Sequence, residues 1–198
     1  HGCNHELSNK MDFHALKSDL IQSKKLLEDL TGNPVYGYRA PSFAINDDVL
    51  KLVRDCGYTY DSSYNSFQMH ERYGHVNLNV DEDGMTACKI SDGFFELPIS
   101  NLKIGKLIIP WGGGGYFRMI PLPIFTLVTE YILLHEKSYL FYFHPWEIDP
   151  DQPKVTQASR NFKFRHYINL KKTYGKLEGL VRHFSMCRFL SCSHFLKI

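Results

Sequence analysis

The stretch Tyr139-Leu140-Phe141-Tyr142-Phe143-His144-Pro145-Trp146-Glu147 constrains the fold most, because an apolar run ends there in an imidazole, a proline, an indole and a carboxylate. Five aromatic or aliphatic residues in succession predict a strand buried on both faces. Pro145 has no N–H to give a central ladder, so the strand is expected to stop at His144. Strands of this kind belong to sheets covered by helices, and α/β proteins keep reactive groups at strand ends. His144 reads either as a packed terminal histidine or as a titratable group delivered to a site.

The 198 residues, 43% hydrophobic and 22% charged, supply one sizeable core. A net charge of +2 without a Lys/Arg cluster argues against a nucleic-acid partner. No segment approaches the roughly 18 apolar residues that span a bilayer. Five cysteines without a C-x-x-C pair read as reduced thiols, which leans toward a cytoplasmic location. The chain opens at His1 rather than Met, and that opening reads as a cut.

Phe13, Leu16, Leu20, Leu27 and Leu30 predict one apolar stripe on a helix ended by Gly32 and Pro34. Val35 to Pro41 predicts a short strand carrying Arg39. Asn46 as N-cap, Asp47 and Asp48 in the first turn, and Val49, Val53 and Cys56 on one face predict a second helix ending at Gly57. Tyr58-Thr59-Tyr60 is β-prone and delivers Asp61, followed by Ser62-Ser63. Gln68 to Gly93 is polar, with Val76, Leu78 and Val80 alternating before Asp81-Glu82-Asp83-Gly84, which reads as a hairpin turn. Phe94 to Pro98 predicts a strand, Ile124 to Leu134 an apolar helix, and Thr173 to Phe184 a last helix after a polar connector. Strands alternating with helices point to a mostly parallel α/β architecture.

Four candidates stand at strand ends: the pair His1 and His5, then Arg39, Asp61 and His144. Imidazoles four apart could share a metal if the segment turns, although the pattern also arises by chance and a third ligand is needed. Arg39 lies in an apolar segment, where its charge asks for a carboxylate, as a structural ion pair or as the partner of a catalytic Asp. Asp61 also suits a turn or cap. Trp111-Gly112-Gly113-Gly114-Gly115-Tyr116 lacks the pattern of a nucleotide loop. It is either a flexible connector or a place where backbone approaches a ligand and aromatic rings stack on it.

Taken in order, His1-Gly-Cys-Asn-His5, Tyr38-Arg39-Ala40-Pro41-Ser42-Phe43, Tyr60-Asp61-Ser62-Ser63 and Phe143-His144-Pro145-Trp146-Glu147 resemble the second to fifth motifs of the polysaccharide deacetylases, the family sharing the NodB homology domain. Ile148 to Pro153, Phe164 to Leu170 and Gly113 to Arg118 look like the branch associated with exopolysaccharide export and exosortase systems. The resemblance implies a distorted (β/α)7 barrel, here without its first strand and helix. It spans 1–153, followed by a C-terminal extension over 154–198. It also implies a divalent metal, zinc or similar, on His1 and His5, with Arg39 positioning the catalytic aspartate, Asp61 orienting and tuning the acid, and His144 as general acid. Tyr38, Pro41, Trp111, Gly114, Tyr116 and Trp146 would line a polysaccharide or oligosaccharide site.

The family's first motif, which supplies the catalytic base and the third metal ligand, has no match in these residues. The implied activity is metal-assisted removal of N-acetyl groups from hexosamines of an exopolysaccharide or its precursor, with the base missing from the chain as it stands. Two alternatives remain. One is a non-catalytic carbohydrate-binding remnant using Trp111, Tyr116 and Trp146 as platforms, and the other a hydrolase of small cyclic amides.

Overall fold

Helix α1, Phe13–Thr31, begins where Asp12 accepts the backbone N–H groups of His14 and Ala15 at 2.9 and 3.2 Å, and ends at Gly32 with φ 66°. The computed structural model describes residues 1–67, 74–77 and 87–198. These form two compact units, His1–Ile99 with Leu190–Ile198, and Ser100–Phe189. The boundary expected at residue 153 falls inside the second unit.

In the first unit, α1 is followed by β1 (Gly37–Tyr38), a single 3-10 turn at Pro41–Phe43, α2 (Asp47–Asp55), β2 (Tyr60–Asp61), β3 (Cys88–Ser91) and β4 (Phe94–Glu96). The strands form one sheet in the order β1-β2-β4-β3, parallel except for the β3 and β4 pair. Its register aligns Tyr38 with Asp61, Asp61 with Glu96 and Glu96 with Cys88. One row of four buried side chains therefore crosses the whole sheet. The α2 expectations hold: Asn46 accepts the N–H of Val49 at 2.9 Å, Val49 and Val53 are buried, and Gly57 takes φ 82°.

The α1 stripe needs correction. Its buried face is Leu16, Asp19, Leu20 and Ser23, whereas Phe13, Leu27 and Leu30 are 54%, 45% and 74% exposed. Two polar residues take inward positions because the fold satisfies them: Asp19 accepts the N–H of Cys3, and Ser23 donates to the Leu20 carbonyl. Val76 is buried, but Leu78, Val80 and the Asp81 to Gly84 turn lie outside the described residues.

The second unit opens with a hairpin absent from the expectations, β5 (Asn101–Ile104) antiparallel to β6 (Leu107–Pro110), turned at Gly105 with φ 57°. Helices α3 (Gly114–Met119), α4 (Leu122–Glu136), α5 (Arg160–Tyr167) and α6 (Leu170–His183) follow. Leu102, Trp111, Phe117, Phe125, Ile132 and Leu180 form its core. A short helix α7, Cys192–Leu196, belongs to the first unit.

The run from Tyr139 to Phe143 is not a strand buried on both faces. It is extended and mostly half-buried, with Phe143 exposed and a single parallel bridge from Tyr142 to Gly113. The neighbouring chain turns into α3 immediately after Gly113, and Pro145 ends the other side, so the ladder has length for one rung. The described strands thus form one four-stranded and one two-stranded sheet in a mixed α/β protein.

Candidate functional sites in the two units

In the first unit, the segment His1 to His5 is pinned to α1 because Cys3 donates its backbone N–H to Asp19 at 2.9 Å. Gly2 permits this approach, since a Cβ there would lie 1.7 Å from an Asp19 carboxylate oxygen. The two imidazoles consequently meet edge to face, with centroids 4.9 Å apart. His1 Nδ1 lies 2.6 Å from the Arg39 carbonyl, which can only accept, so Nδ1 carries a proton and, in the neutral ring, Nε2 holds the lone pair. Metal-binding histidines are commonly oriented in this manner. Imidazole nitrogens suit zinc and similar ions. Among the described residues, however, no three His, Cys, Asp or Glu side chains converge.

Arg39 is half-buried and grips the Asp-Ser-Ser segment. Its Nε donates to the Ser62 carbonyl and its Nη2 to Ser62 Oγ, both at 2.7 Å. Ser62 in turn donates to the Leu97 carbonyl. Ser63 donates both its backbone N–H and its hydroxyl to Asp61, at 2.7 and 2.9 Å, and its Oγ accepts the N–H of Ala40. Motifs far apart in sequence are joined here into one hydrogen-bonded layer. Burial pushes the fully buried Asp61 carboxyl upward, against the pull of hydrogen bonds from Glu96 and Ser63 and of the Arg39 charge. Glu96, its register partner, is held well above the ordinary glutamate range, first by burial and then by the Asp61 charge.

Sequence reasoning missed Glu96. The signal was available, because Phe94 and Glu96 share one face of a β-period strand and an inward Phe implies an inward Glu. Tyr38, expected to line a sugar site, is instead a core residue whose hydroxyl meets Ser8 Oγ at 2.9 Å. Its phenol is pushed far up by burial. Pro41 is buried at the start of the 3-10 turn.

In the second unit, His144 stands just before the 3-10 turn Pro145–Ile148 with its side chain 54% exposed. The carboxylate facing it there is Glu147, whose Oε2 accepts the His144 backbone N–H at 2.8 Å and lies 3.4 Å from Nδ1. Glu147 pairs through Oε1 with Arg118 Nε at 3.0 Å, the two side chains being 3% and 2% exposed. Burial pushes the Glu147 carboxyl up, but hydrogen bonds from His144 and the Arg118 charge outweigh it and leave it below its usual value. Arg118 is fully engaged, donating also to the carbonyls of Arg165, His166 and Ile168.

The glycine run explains itself in this cluster. A Cβ on Gly114 would lie 2.3 Å from Glu147 Oε2, so glycine is what admits the carboxylate. Trp146 stacks on His166 at 4.1 Å and on His144 at 5.7 Å, with the Arg118 guanidinium 5.0 Å from its ring. Tyr116 is half-buried on α3. Trp111 is not a platform: it is 5% exposed, stacked on Phe125, and donates its indole N–H to Thr129 at 3.2 Å.

No curated protein matches the chain. Among solved structures, a Mycobacterium smegmatis protein assigned by name to the polysaccharide deacetylases aligns over 96% of this chain and 65% of its own length. The identity is 18% and the TM-score 0.46. The chain therefore spans less than two thirds of that protein. Residues 1–60, which hold the two histidines, Arg39 and Tyr60, match the polysaccharide deacetylase family. Residues 62–195 match a domain of unknown function, DUF3473. With that share of its length covered, the chain belongs to the DUF3473 family, and its first 60 residues are similar to the polysaccharide deacetylases.

Proposed function

We propose that the protein is a metal-dependent deacetylase that hydrolyses N-acetyl groups on hexosamine residues of an exopolysaccharide or its precursor. The observation that carries this reading is the layer in the first unit, where His1 and His5 meet and Arg39, bonded to His1 through its carbonyl, grips the segment of Asp61. His1 and His5 would hold a divalent ion such as zinc, whose Lewis acidity would then be available to the acetyl carbonyl. Arg39 holds the Asp61 segment in place through Ser62. In the second unit, Glu147 takes the Nδ1 side of His144, so Nε2 is the atom that hands a proton to the departing amine. Trp146 and Tyr116 offer aromatic surface to sugar rings, and Gly114 acts indirectly by admitting Glu147. The family's first motif, which carries the base for the attacking water, has no match in the sequence. A (β/α)7 barrel and a cytoplasmic location belong to the same reading.

Acetate release from an N-acetylhexosamine oligosaccharide tests it. His144→Ala is expected to abolish release with metal content unchanged, and His5→Ala to lower metal content. Unchanged turnover in His144→Ala rejects the assignment. The binding-remnant alternative is weakened by Trp111, whose burial removes one of its three platforms.

A further inference from the structure

Asp61 and Glu96 are directly opposed on neighbouring parallel strands, and both are essentially inaccessible to solvent. Paired residues of adjacent strands project to the same face about 5 Å apart. The donors that reach this pair are few. Ser63 Oγ serves Asp61 Oδ1, the Ser63 N–H serves Oδ2, and the Tyr64 N–H serves Glu96 Oε1 at 2.8 Å. Three carboxyl oxygens are satisfied, and the fourth, Glu96 Oε2, receives no donor among the described residues. A buried carboxylate oxygen without a donor is costly, and two full negative charges side by side in a dry site are costlier. A single proton on Glu96 Oε2 removes both costs, because the orphan oxygen becomes the donor that Asp61 can accept.

We propose that Glu96 is a positioning residue: it keeps its proton at neutral pH and donates it to Asp61, so that the pair carries one negative charge beside Arg39. The consequence for the site is a completed Asp61. Held by Ser63 and Glu96 together, its carboxylate stays ionised and fixed in orientation, while Arg39 faces one charge rather than two. The upward displacement of Glu96, by burial and by the Asp61 charge, agrees with this arrangement. The functional weight of Glu96 rests on the deacetylase reading above, whereas its protonation does not.

The protonation is open to direct test. Infrared difference spectroscopy at neutral pH is expected to show the carbonyl stretch of a buried neutral carboxylic acid, shifted in D2O and lost in Glu96→Gln. Glu96→Gln keeps a donor toward Asp61 and an acceptor for Tyr64, so its thermal midpoint at neutral pH is expected to match or exceed that of the parent chain. Absence of the band, or a lowered midpoint in Glu96→Gln, overturns the proposal. In the acetate-release assay, Glu96→Leu is expected to lower kcat about tenfold with KM unchanged, and Glu96→Gln to restore it. A Gln variant as impaired as the Leu variant contradicts the positioning role. If the parent protein releases no acetate at all, the deacetylase reading falls and the infrared band still decides the state of Glu96.

Discussion

Gly114 and Arg118 show how far single residues reach in this protein. A methyl group on Gly114 would collide with the Glu147 carboxylate at 2.3 Å, and neither Glu147 nor its buried partner has room to yield. Gly114→Ala is expected to cost about 1–3 kcal/mol of stability in chemical denaturation, the range of overpacked cores. Arg118→Met leaves Glu147 buried without its countercharge and is expected to cost about 3–5 kcal/mol. The double variant Arg118→Met/Glu147→Leu recovers much of this loss, because a buried pair replaced as a whole leaves no charge stranded. A double variant as unstable as Arg118→Met alone would contradict that account. From the sequence, His144 and Trp146 stood out because polar and bulky residues interrupt an apolar run. Arg118 and Glu147 did not, because nothing local says that a helix-borne arginine meets a carboxylate 29 residues later.

Elements were legible in proportion to how local their causes are. Caps and stops depend on neighbours in sequence, so Asn46, Gly32 and Gly57 occupy the positions their chemistry predicts. The phase of α1 was misjudged, because which face is buried depends on what lies beside the helix. That difference is measurable. Leu20→Ala, at a fully buried position, is expected to cost about 2–5 kcal/mol by urea denaturation, while Leu30→Ala stays within about 0.5 kcal/mol. Equal losses at the two sites would restore the original stripe. The aromatic segment before His144 failed as a strand for a related reason. Its residues are β-prone, yet a strand also needs a partner long enough to pair with it, and Gly113 offers one bridge.

For the whole molecule, the two units carry buried carboxyls displaced in opposite senses, and stability should follow. In the first unit, Glu96 holds its proton more tightly folded than unfolded. Its contribution is therefore fully present below the ordinary glutamate range and is lost as pH rises through the folded value. In the second unit, Glu147 holds its proton less tightly folded than unfolded. Its contribution is present above the ordinary range and is lost as pH falls through the folded value. Hydrogen exchange resolved by peptide, corrected for the intrinsic pH dependence, is expected to show residues of β2 and β4 losing protection toward high pH and those of α3 toward low pH. The same direction in both units would refute this assignment. The sequence by itself determined the stop of α1 at Gly32, the caps of α2 at Asn46 and Gly57, the α/β class and the motifs around His1, Arg39, Asp61 and His144, because these depend on periodicity and on neighbours along the chain. Only the tertiary structure set Glu96 beside Asp61, closed Arg118 on Glu147 and buried Tyr38 and Trp111, because burial and charge pairing depend on strand register and packing between residues remote in sequence.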